Sequence, residues 1–267
     1  HPELLDYLAA QFVREGWSTK KLTREILLSS TYRQSSEPRP DVAAADPQNK
    51  LLAVYPRRRM DAEQIRDSLL AAAGDLDERV GGPSVLPPLP KNGASGESYQ
   101  GDPYWTVSKN EADYNRRSLY VFTRRSVPYP MLEAFDRASP QVPHSRREVS
   151  TTPQQSLTLF NNEVVYQWSQ QLAARAAREG GDSEAARIER LYRILYARKP
   201  DALERKLVVA FLKEQTELLR AQSSPAAEAG AQKVSLRTDV KITDARERAF
   251  ADLAHTLANA NEFVYRY

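Results

Sequence analysis

The sequence predicts a mainly α-helical fold, a multi-helix, bundle-like domain with a small β insertion and a long Gly/Pro-rich loop. Apolar residues recur at helical spacing along most of the 267 residues, a pattern typical of helices that bury one face. One short run, 118–123, is instead rich in aromatic and β-forming residues. Residues 81–103 hold five of the ten glycines and five of the 17 prolines, so this stretch is predicted to be a loop.

The N-terminal region is predicted to be a helical hairpin. Gly16 suits the end of the first helix, and Ser18 suits the N-cap of the second. The apolar stripe of the first helix consists of Leu4, Leu5, Leu8, Phe12 and Val13. The inward positions of the second helix are Leu22, Ile26 and Leu27.

Further helices are predicted from capping signals. Asp61 caps a helix that Gly74 ends, and Thr152 followed by Pro153 begins a long helix through 179. Other helices are expected over roughly 183–197, 201–221 and 244–259. We interpret residues 1–267 as a single module, with a subdivision into a helical part (1–80), a loop and short strand insertion (81–150) and a second helical part (151–267).

The composition excludes several classes of site. The chain has no cysteine, which excludes disulfides, thiolate zinc sites, iron–sulfur clusters, cysteine nucleophiles and CxxCH haem attachment. No stretch approaches the roughly 20 apolar residues that a membrane span needs. The net charge of +3 is too weakly basic to predict nucleic-acid binding. Because the chain opens with His1-Pro2 and shows no signal peptide, we expect it to be a C-terminal piece of a longer polypeptide.

The segment "NRRSLYVFTRRSVP" (115–128) raises the main functional question. Seven arginines and only two acidic residues lie between 115 and 147. On an extended strand, Arg116 and Arg125 would be roughly 30 Å apart, so the four guanidinium groups of this segment cannot grip one small anion. Two readings stay open, a scaffold of paired arginines and a site for a carboxylate, phosphate or sulfate. The predicted polar cluster consists of Arg116, Arg117, Arg124, Arg125, Asp136, Arg146 and Arg147.

Secondary candidates are fewer. Trp105, beside the Gly/Pro-rich loop, could stack on a sugar or pin the loop to the core. At the start of the third helix, acidic residues complement the helix dipole. The candidates there are Arg58, Arg59, Asp61 and Glu63.

The histidines do not suggest a metal site. His1, His144 and His255 show no ligand spacing, so no metal is predicted. Asp136, His144 and Ser150 could be written as a catalytic triad, but no nucleophile-elbow motif supports that reading.

A series of motifs, in order along the whole chain, resembles one family. The chain is similar to the domain of unknown function 1553, the C-terminal module of planctomycete-type multidomain cytochrome c proteins. The motifs that carry the resemblance are "HPELLDYLAAQFVREGWSTKKLTREILLSSTYRQSS", "DPQNKLL", "RRRMDAEQIRDSLLAAAGDLD", "NRRSLYVFTRRSVP", "FDRASP", "STTPQQSLTLFNN" and "NANEFVYRY". Two positions depart from the family pattern, because Thr23 stands where histidine is expected and Ala254 where cysteine is expected.

The resemblance implies export to the cell envelope or periplasm, with haem bound elsewhere in the parent chain and no cofactor here. It also implies the parent's other domains as partners, including its haem domain. The leading hypothesis is a non-catalytic interaction or binding module. The alternative is an enzyme or binding domain that acts on acidic or sulfated saccharides, such as an anionic polysaccharide, through an arginine-rich cleft. A third hypothesis is a docking surface for the parent's haem domain or for a partner protein, in which the 81–103 loop would be a lid or an adhesive edge.

Overall fold

The computed structural model describes residues 1–89, 105–125, 128–143, 145–222 and 244–266. These residues are mainly helical with one small β element, which confirms the predicted fold class. The chain divides into two compact units. The first unit is His1–Arg59 with the C-terminal residues that follow Val264, and the second is Met60–Val264.

The first unit is a set of short helices closed by a two-stranded ladder. Its elements are α1 (Pro2–Arg14), α2 (Thr19–Leu28), α3 (Pro40–Ala45) and β1 (Arg58–Arg59), which pairs antiparallel with the C-terminal strand β2 (Tyr265–Arg266). Arg266 donates hydrogen bonds from Nη2 to the hydroxyls of Tyr32 and, over 2.8 Å, Tyr55. These bonds tie the C-terminal strand to the helical part of the same unit.

The second unit begins with α4 (Ala62–Ala73), whose predicted caps are confirmed. The backbone N–H of Asp61 donates to the side chain of Gln64 over 3.0 Å, which closes the reciprocal capping box. Gly74 ends the helix at φ +85°, a conformation that only glycine adopts without strain. The buried face of α4 carries Ile65 and Leu70, neither of which is exposed to solvent.

The core of the second unit lies between long helices. The central helix α7 (Glu163–Gly180) packs against α4, α8 (Glu184–Tyr196) and α10 (Ala245–Ala258). Helix α10 also packs against α9 (Ala202–Gln222). The apolar face of α7, with Val165, Leu172 and Ala176, is almost fully buried. The helices that follow α4 are α5 (Pro130–Ala134), α6 (Pro153–Asn161), α7 (Glu163–Gly180), α8 (Glu184–Tyr196), α9 (Ala202–Gln222), α10 (Ala245–Ala258) and α11 (Asn261–Val264).

The strand predicted at 118–123 is wrong. Ser118–Tyr120 forms a 3-10 turn, in which the N–H of Tyr120 bonds to the carbonyl of Arg117 over 2.9 Å. Among the described residues, the β-type pairing of this run is limited to an isolated parallel bridge between Val85 and Val121. Val121 is buried although the run is not a strand. Strand propensity is weak, and here the tertiary contacts of the run override it.

The long helix predicted from Thr152 is divided. Asn162 has φ −82° and ψ 116°, which ends α6 and begins α7. Its side-chain oxygen accepts hydrogen bonds from the N–H groups of Val164 (2.9 Å) and Val165 (3.4 Å). The asparagine therefore replaces two helical hydrogen bonds with side-chain caps, which makes the break stable.

Candidate functional site

Arg116 is a buried scaffold residue. Its guanidinium donates to the main-chain carbonyls of Pro83 (3.1 Å), Arg79 (3.3 Å) and Gly81. It also lies 3.8 Å from the centre of the Tyr120 ring, in a cation–π contact. These contacts hold the 79–83 segment in place, and the side chain is only 4% exposed. Because the residue is buried, an external anion could reach this guanidinium only if the surrounding segment moved aside.

Sequence reasoning missed the arginine that organises this region. Arg66, on α4, is completely buried and donates to the carbonyls of Arg116 (2.8 Å) and Tyr114 (2.6 Å). The adjacent carboxylate of Asp67 accepts from both the N–H and the hydroxyl of Ser118, each over 2.7 Å. The two neighbouring side chains of α4 therefore fix the backbone of the 114–118 segment. The signal in the sequence was an arginine directly after an apolar helix position, Ile65.

Arg147 lies with two of the secondary candidates. Its guanidinium makes two hydrogen bonds to the carboxylate of Glu63, of 2.6 and 3.3 Å, and lies 3.9 Å from Asp61. The hydrogen bonds to Glu63 raise the pKa of Arg147 above its ordinary value. The ion pair joins the 145–152 segment to the N-terminus of α4, so Glu63 is engaged by a cation of its own chain.

Asp136 and Ser150 also meet. The N–H and the hydroxyl of Ser150 both donate to the Asp136 carboxylate over 2.8 Å, and Asp136 has φ +58°. Aspartate is one of the few residues other than glycine that adopts this left-handed conformation readily. The serine hydroxyl therefore donates to the carboxylate. His144, the third residue of the catalytic triad considered from the sequence, lies outside the described residues.

The remaining candidates differ in exposure. Trp105 is buried, donates from Nε1 to the Pro87 carbonyl over 2.7 Å, and lies 6.0 Å from the Tyr129 ring, so its ring packs inside the protein. Residues 90–104, most of the Gly/Pro-rich loop, lie outside the described residues. Arg58, Arg117, Arg125 and Arg146 are exposed, whereas Arg59 and Arg124 are half-buried.

Two features are absent from the described residues. No group of three or more histidine, aspartate or glutamate side chains in this part of the chain is placed to hold a metal ion. No helix in the same ranges is long and apolar enough to cross a membrane.

The α1–α2 hairpin exposes most of its apolar stripe. Neither helix contains a buried residue, and among their apolar side chains in the stripe only Leu8, Phe12 and Leu22 are half-buried. When only two helices pack together, each buries a narrow strip of the other's surface. The outer part of each apolar stripe therefore stays in contact with solvent. This outer part, which we call the hairpin face, consists of Leu4, Leu5, Val13, Trp17, Ile26, Leu27 and Leu28, each at least 40% exposed.

Polar contacts fix the geometry of the hairpin. The hydroxyl of Tyr7 donates to Glu25 over 2.9 Å, and Lys21 lies 2.7 Å from Glu15. The hydrogen bond to Glu25 raises the pKa of Tyr7, and the hydrogen bond from Lys21 lowers the pKa of Glu15. Both contacts join α1, or the residue directly after it, to α2, so they hold the two helices together.

The turn between the helices presents a large aromatic residue. Gly16 and Trp17 both have positive φ, +72° and +60°, and Ser18 accepts from the N–H of Lys21 as the predicted N-cap. The Trp17 ring packs edge-on against Phe12 at 5.3 Å, yet the residue is 69% exposed. A non-glycine residue at positive φ carries backbone strain, which here places an indole at the edge of the hairpin face.

Comparison with known proteins identifies the family. The family model described as "PSD1: Protein of unknown function (DUF1553)" matches residues 1–212. The chain belongs to this family. No curated protein and no solved structure matches it significantly. The DUF1553 match includes the hairpin, α4 and the arginine-rich segment, so the resemblance seen in the motifs is confirmed for the family itself.

One flank of the DUF1553 hairpin is basic. An open depression of about 520 Å³ lies along α2, lined by threonines, Leu27, Leu28, Lys20 and Arg24. Thr23, which replaces the expected histidine, lies in this depression and donates its hydroxyl to the carbonyl of Thr19 over 2.8 Å. The depression therefore combines two exposed leucines with two cations and no acidic side chain among its lining residues.

The other departure from the family pattern is internal. Ala254, which replaces the expected cysteine, is completely buried in α10. A methyl group here contributes packing and has no redox or ligand chemistry, so this position is structural in the DUF1553 chain described here.

Proposed function

We propose that this DUF1553 chain is a non-catalytic interaction module that binds another folded domain through the hairpin face. The observation that carries the proposal is the absence of any buried residue in α1 and α2, together with the exposed leucines, valine, isoleucine and tryptophan of the hairpin face. Large apolar patches on the surface of a monomeric protein mark interaction sites, whereas single scattered apolar residues do not. We infer that several of these side chains form such a patch on the hairpin, whose geometry is fixed by polar contacts.

Burial of the hairpin face would release substantial free energy. Full burial of a leucine side chain is worth about 1.5–3 kcal/mol, and these side chains have roughly half of that still to gain. Trp17 adds a large ring at the edge of the face, and tryptophan is enriched among the residues that dominate binding. Several such side chains together supply the apolar centre of an interface.

The basic residues beside the hairpin face indicate the charge of the partner surface. Lys20 and Arg24 border Leu27 and Leu28 in the depression along α2. A complementary surface has an apolar centre with acidic residues on the side that meets α2, because opposite charges steer association and exclude wrong orientations. We propose that this surface belongs to another domain of the parent protein, its haem-binding region, in the cell envelope. This part of the proposal follows from the family resemblance.

The polar contacts of the second unit argue against a catalytic role there. The terminal nitrogens of Arg66 and Arg116 donate to main-chain carbonyls, and Glu63 is paired with Arg147. Because these groups are engaged by their own chain, they do not meet in a cleft with donors and acceptors left for a substrate, as a catalytic acid–base pair would. We infer that Arg116, within the arginine-rich segment, serves folding.

The test is a binding measurement with a matched control. The haem-binding region of the parent protein is produced separately and titrated with this chain by calorimetry. The double variant Leu5→Gln, Leu28→Gln should weaken binding by about tenfold or more, since each lost leucine removes more than 1 kcal/mol. Leu218, on α9, is 57% exposed, similar to Leu28 at 58%, so Leu218→Gln should leave the affinity unchanged.

Three results would overturn the proposal. These are no detectable binding of the wild-type chain, equal weakening by Leu218→Gln, and self-association of the wild-type chain that the double variant abolishes. The last result would assign the hairpin face to a second copy of the chain. Circular dichroism of each variant excludes loss of folding as the cause of weaker binding.

A further inference from the structure

A groove opens where α6 gives way to α7. The break at Asn162 turns the chain, and the groove of about 620 Å³ lies between this break and α10. Its lining includes Phe160, Glu163, Tyr166, Gln167, Gln170 and His255. Neither the family description nor the proposed interaction role assigns a purpose to this groove, and all its lining residues belong to the second unit.

The aromatic wall of the groove is fixed and uncharged. His255 lies edge-on to Phe160 (5.6 Å) and to Tyr166 (5.3 Å), and its Nε2 is 3.1 Å from the carbonyl of Leu159. A carbonyl can only accept, so Nε2 carries the proton in this hydrogen bond. Burial lowers the pKa of His255, which keeps the imidazole neutral at pH 7. Phe160 is 47% exposed and presents its ring to an incoming group.

Tyr166 is also held by a protein partner. Its hydroxyl donates to the carboxylate of Asp252 over 2.8 Å, and Asp252 accepts a second bond from Gln215 over 2.9 Å. Burial raises the pKa of Tyr166, so the phenol remains neutral. The charged groups behind the ring are the Asp252 carboxylate and the exposed Arg248, neither of which lines the groove.

Glu163 is the unsatisfied group of the site. One of its carboxylate oxygens is buried and has no hydrogen-bond partner. Glu163 is also the only charged side chain among the lining residues. A carboxylate with one buried oxygen that lacks a donor is costly, and because Glu163 is half-buried at the groove, a cation bound beside the carboxylate offsets part of this cost.

We propose that the α6–α7 groove binds an alkylammonium group, with Glu163 as its counter-ion and Phe160 and Tyr166 as its aromatic wall. The ammonium lies beside the half-buried Glu163 carboxylate and donates to it and to the side-chain oxygens of Gln167 and Gln170, which supply acceptors for its three donors. Its alkyl chain lies against the rings, which also attract the cation through their electron-rich faces. The single negative charge disfavours an anion, and a neutral hydroxyl would form a hydrogen bond about half as strong.

The test compares a cation with its neutral isostere. The chain is titrated with n-butylammonium and with n-butanol, and binding is read from the NMR signals of the Gln167 and Gln170 side-chain amides. We expect saturable shifts with n-butylammonium only. Glu163→Gln should weaken binding by about tenfold, the value of one hydrogen bond to a charged group. Glu214 is exposed on α9, and Glu214→Gln is the matched control, which should bind as the wild type does.

A second comparison separates the two sources of an alkylammonium group. Binding of the peptide Gly-Lys-Gly about tenfold more tightly than n-butylammonium would indicate a lysine side chain of a polypeptide, because added backbone contacts raise affinity. Equal affinity would indicate a free amine. The proposal is overturned if n-butanol or glucose shifts the same signals equally, if Glu163→Gln binds n-butylammonium as well as wild type does, or if the signals stay unchanged at high ligand concentration.

Discussion

The guanidinium of Arg66 donates from Nη1 to the main-chain carbonyl of Arg116 over 2.8 Å. Arg116 then uses its own guanidinium to bind the carbonyls of the 79–83 segment. One arginine thus fixes the backbone of another, which in turn fixes a loop. These contacts run from α4 through 114–118 to 79–83. They account for the burial of Arg116, one of the four arginines that surround the short apolar run.

We predict that Arg66→Met lowers the free energy of unfolding by about 3–5 kcal/mol, because methionine fills part of the space but leaves two buried carbonyls without a donor. Urea unfolding followed by circular dichroism measures the change. Arg220 is exposed on α9, and Arg220→Met should shift the free energy by no more than about 0.5 kcal/mol. Equal effects of the two substitutions would show that the contacts of Arg66 add no stability.

The adjacent pair Arg116 and Arg117 offers a second comparison. Arg116 is 4% exposed and bonded to three carbonyls, whereas Arg117 is exposed. We predict that Arg116→Met costs about 2–4 kcal/mol and that Arg117→Met stays within about 0.5 kcal/mol.

The same two variants test the anion reading. Thermal melting of each variant with and without sulfate reports whether either arginine binds an anion, since a ligand of the folded state raises stability. A sulfate-dependent rise that Arg116→Met removes would contradict the scaffold role of Arg116.

Features set by neighbouring residues could be predicted from the sequence. Ser18 caps α2, and Gly74 ends α4 in the left-handed conformation. The capping box at Thr152, whose N–H donates to Gln155 over 3.4 Å, begins α6. These signals depend on a few adjacent residues and on backbone conformation alone, so the local sequence is sufficient to predict them.

Features decided by distant contacts could not be predicted in this way. The turn at Ser118 depends on Asp67, 51 residues away, which bonds to its N–H and hydroxyl. Nothing in the apolar run distinguishes a strand from a 3-10 turn that is held by another helix. The break at Asn162 had a local signal, since asparagine is a good N-cap, but the surrounding helical periodicity hid it. The groove beside His255 depends on that break.

We predict that stability falls as the pH drops below about 6.5, because burial depresses the folded-state pKa of His255 below the ordinary histidine value. The unfolded chain then binds a proton that the folded chain does not, so stability is present above pH 6.5 and is lost as the pH falls toward the folded-state pKa. The slope contributed by this one group is at most about 1.4 kcal/mol per pH unit.

His255→Gln should flatten this part of the profile, because glutamine can donate to the Leu159 carbonyl but does not titrate. Urea unfolding at pH 7.5, 6.5 and 5.5 measures the effect. His1 is exposed, and His1→Gln serves as the control, which should keep the wild-type fall. A wild-type profile that is flat over this range, or unchanged by His255→Gln, would show that His255 titrates at its ordinary value.

Gly180 lies at the end of α7, where α8 approaches closely. A Cβ added at this glycine would lie 2.7 Å from the Cα of Arg187, closer than real Cβ atoms come to a neighbour. Helix propensity alone predicts that alanine gains about 1 kcal/mol over glycine at a helical position. Overpacking against backbone costs about 1–3 kcal/mol, and backbone cannot move aside as a flexible side chain can.

We therefore predict that Gly180→Ala lowers the free energy of unfolding by about 1 kcal/mol, since the overlap outweighs the gain in propensity. Urea unfolding measures the net effect, and the far-ultraviolet circular dichroism should remain that of the wild type. Glycine is then required at this position by the close approach of α7 and α8. A rise in stability would mean that the two helices separate easily at this point and that the close approach contributes little to the core.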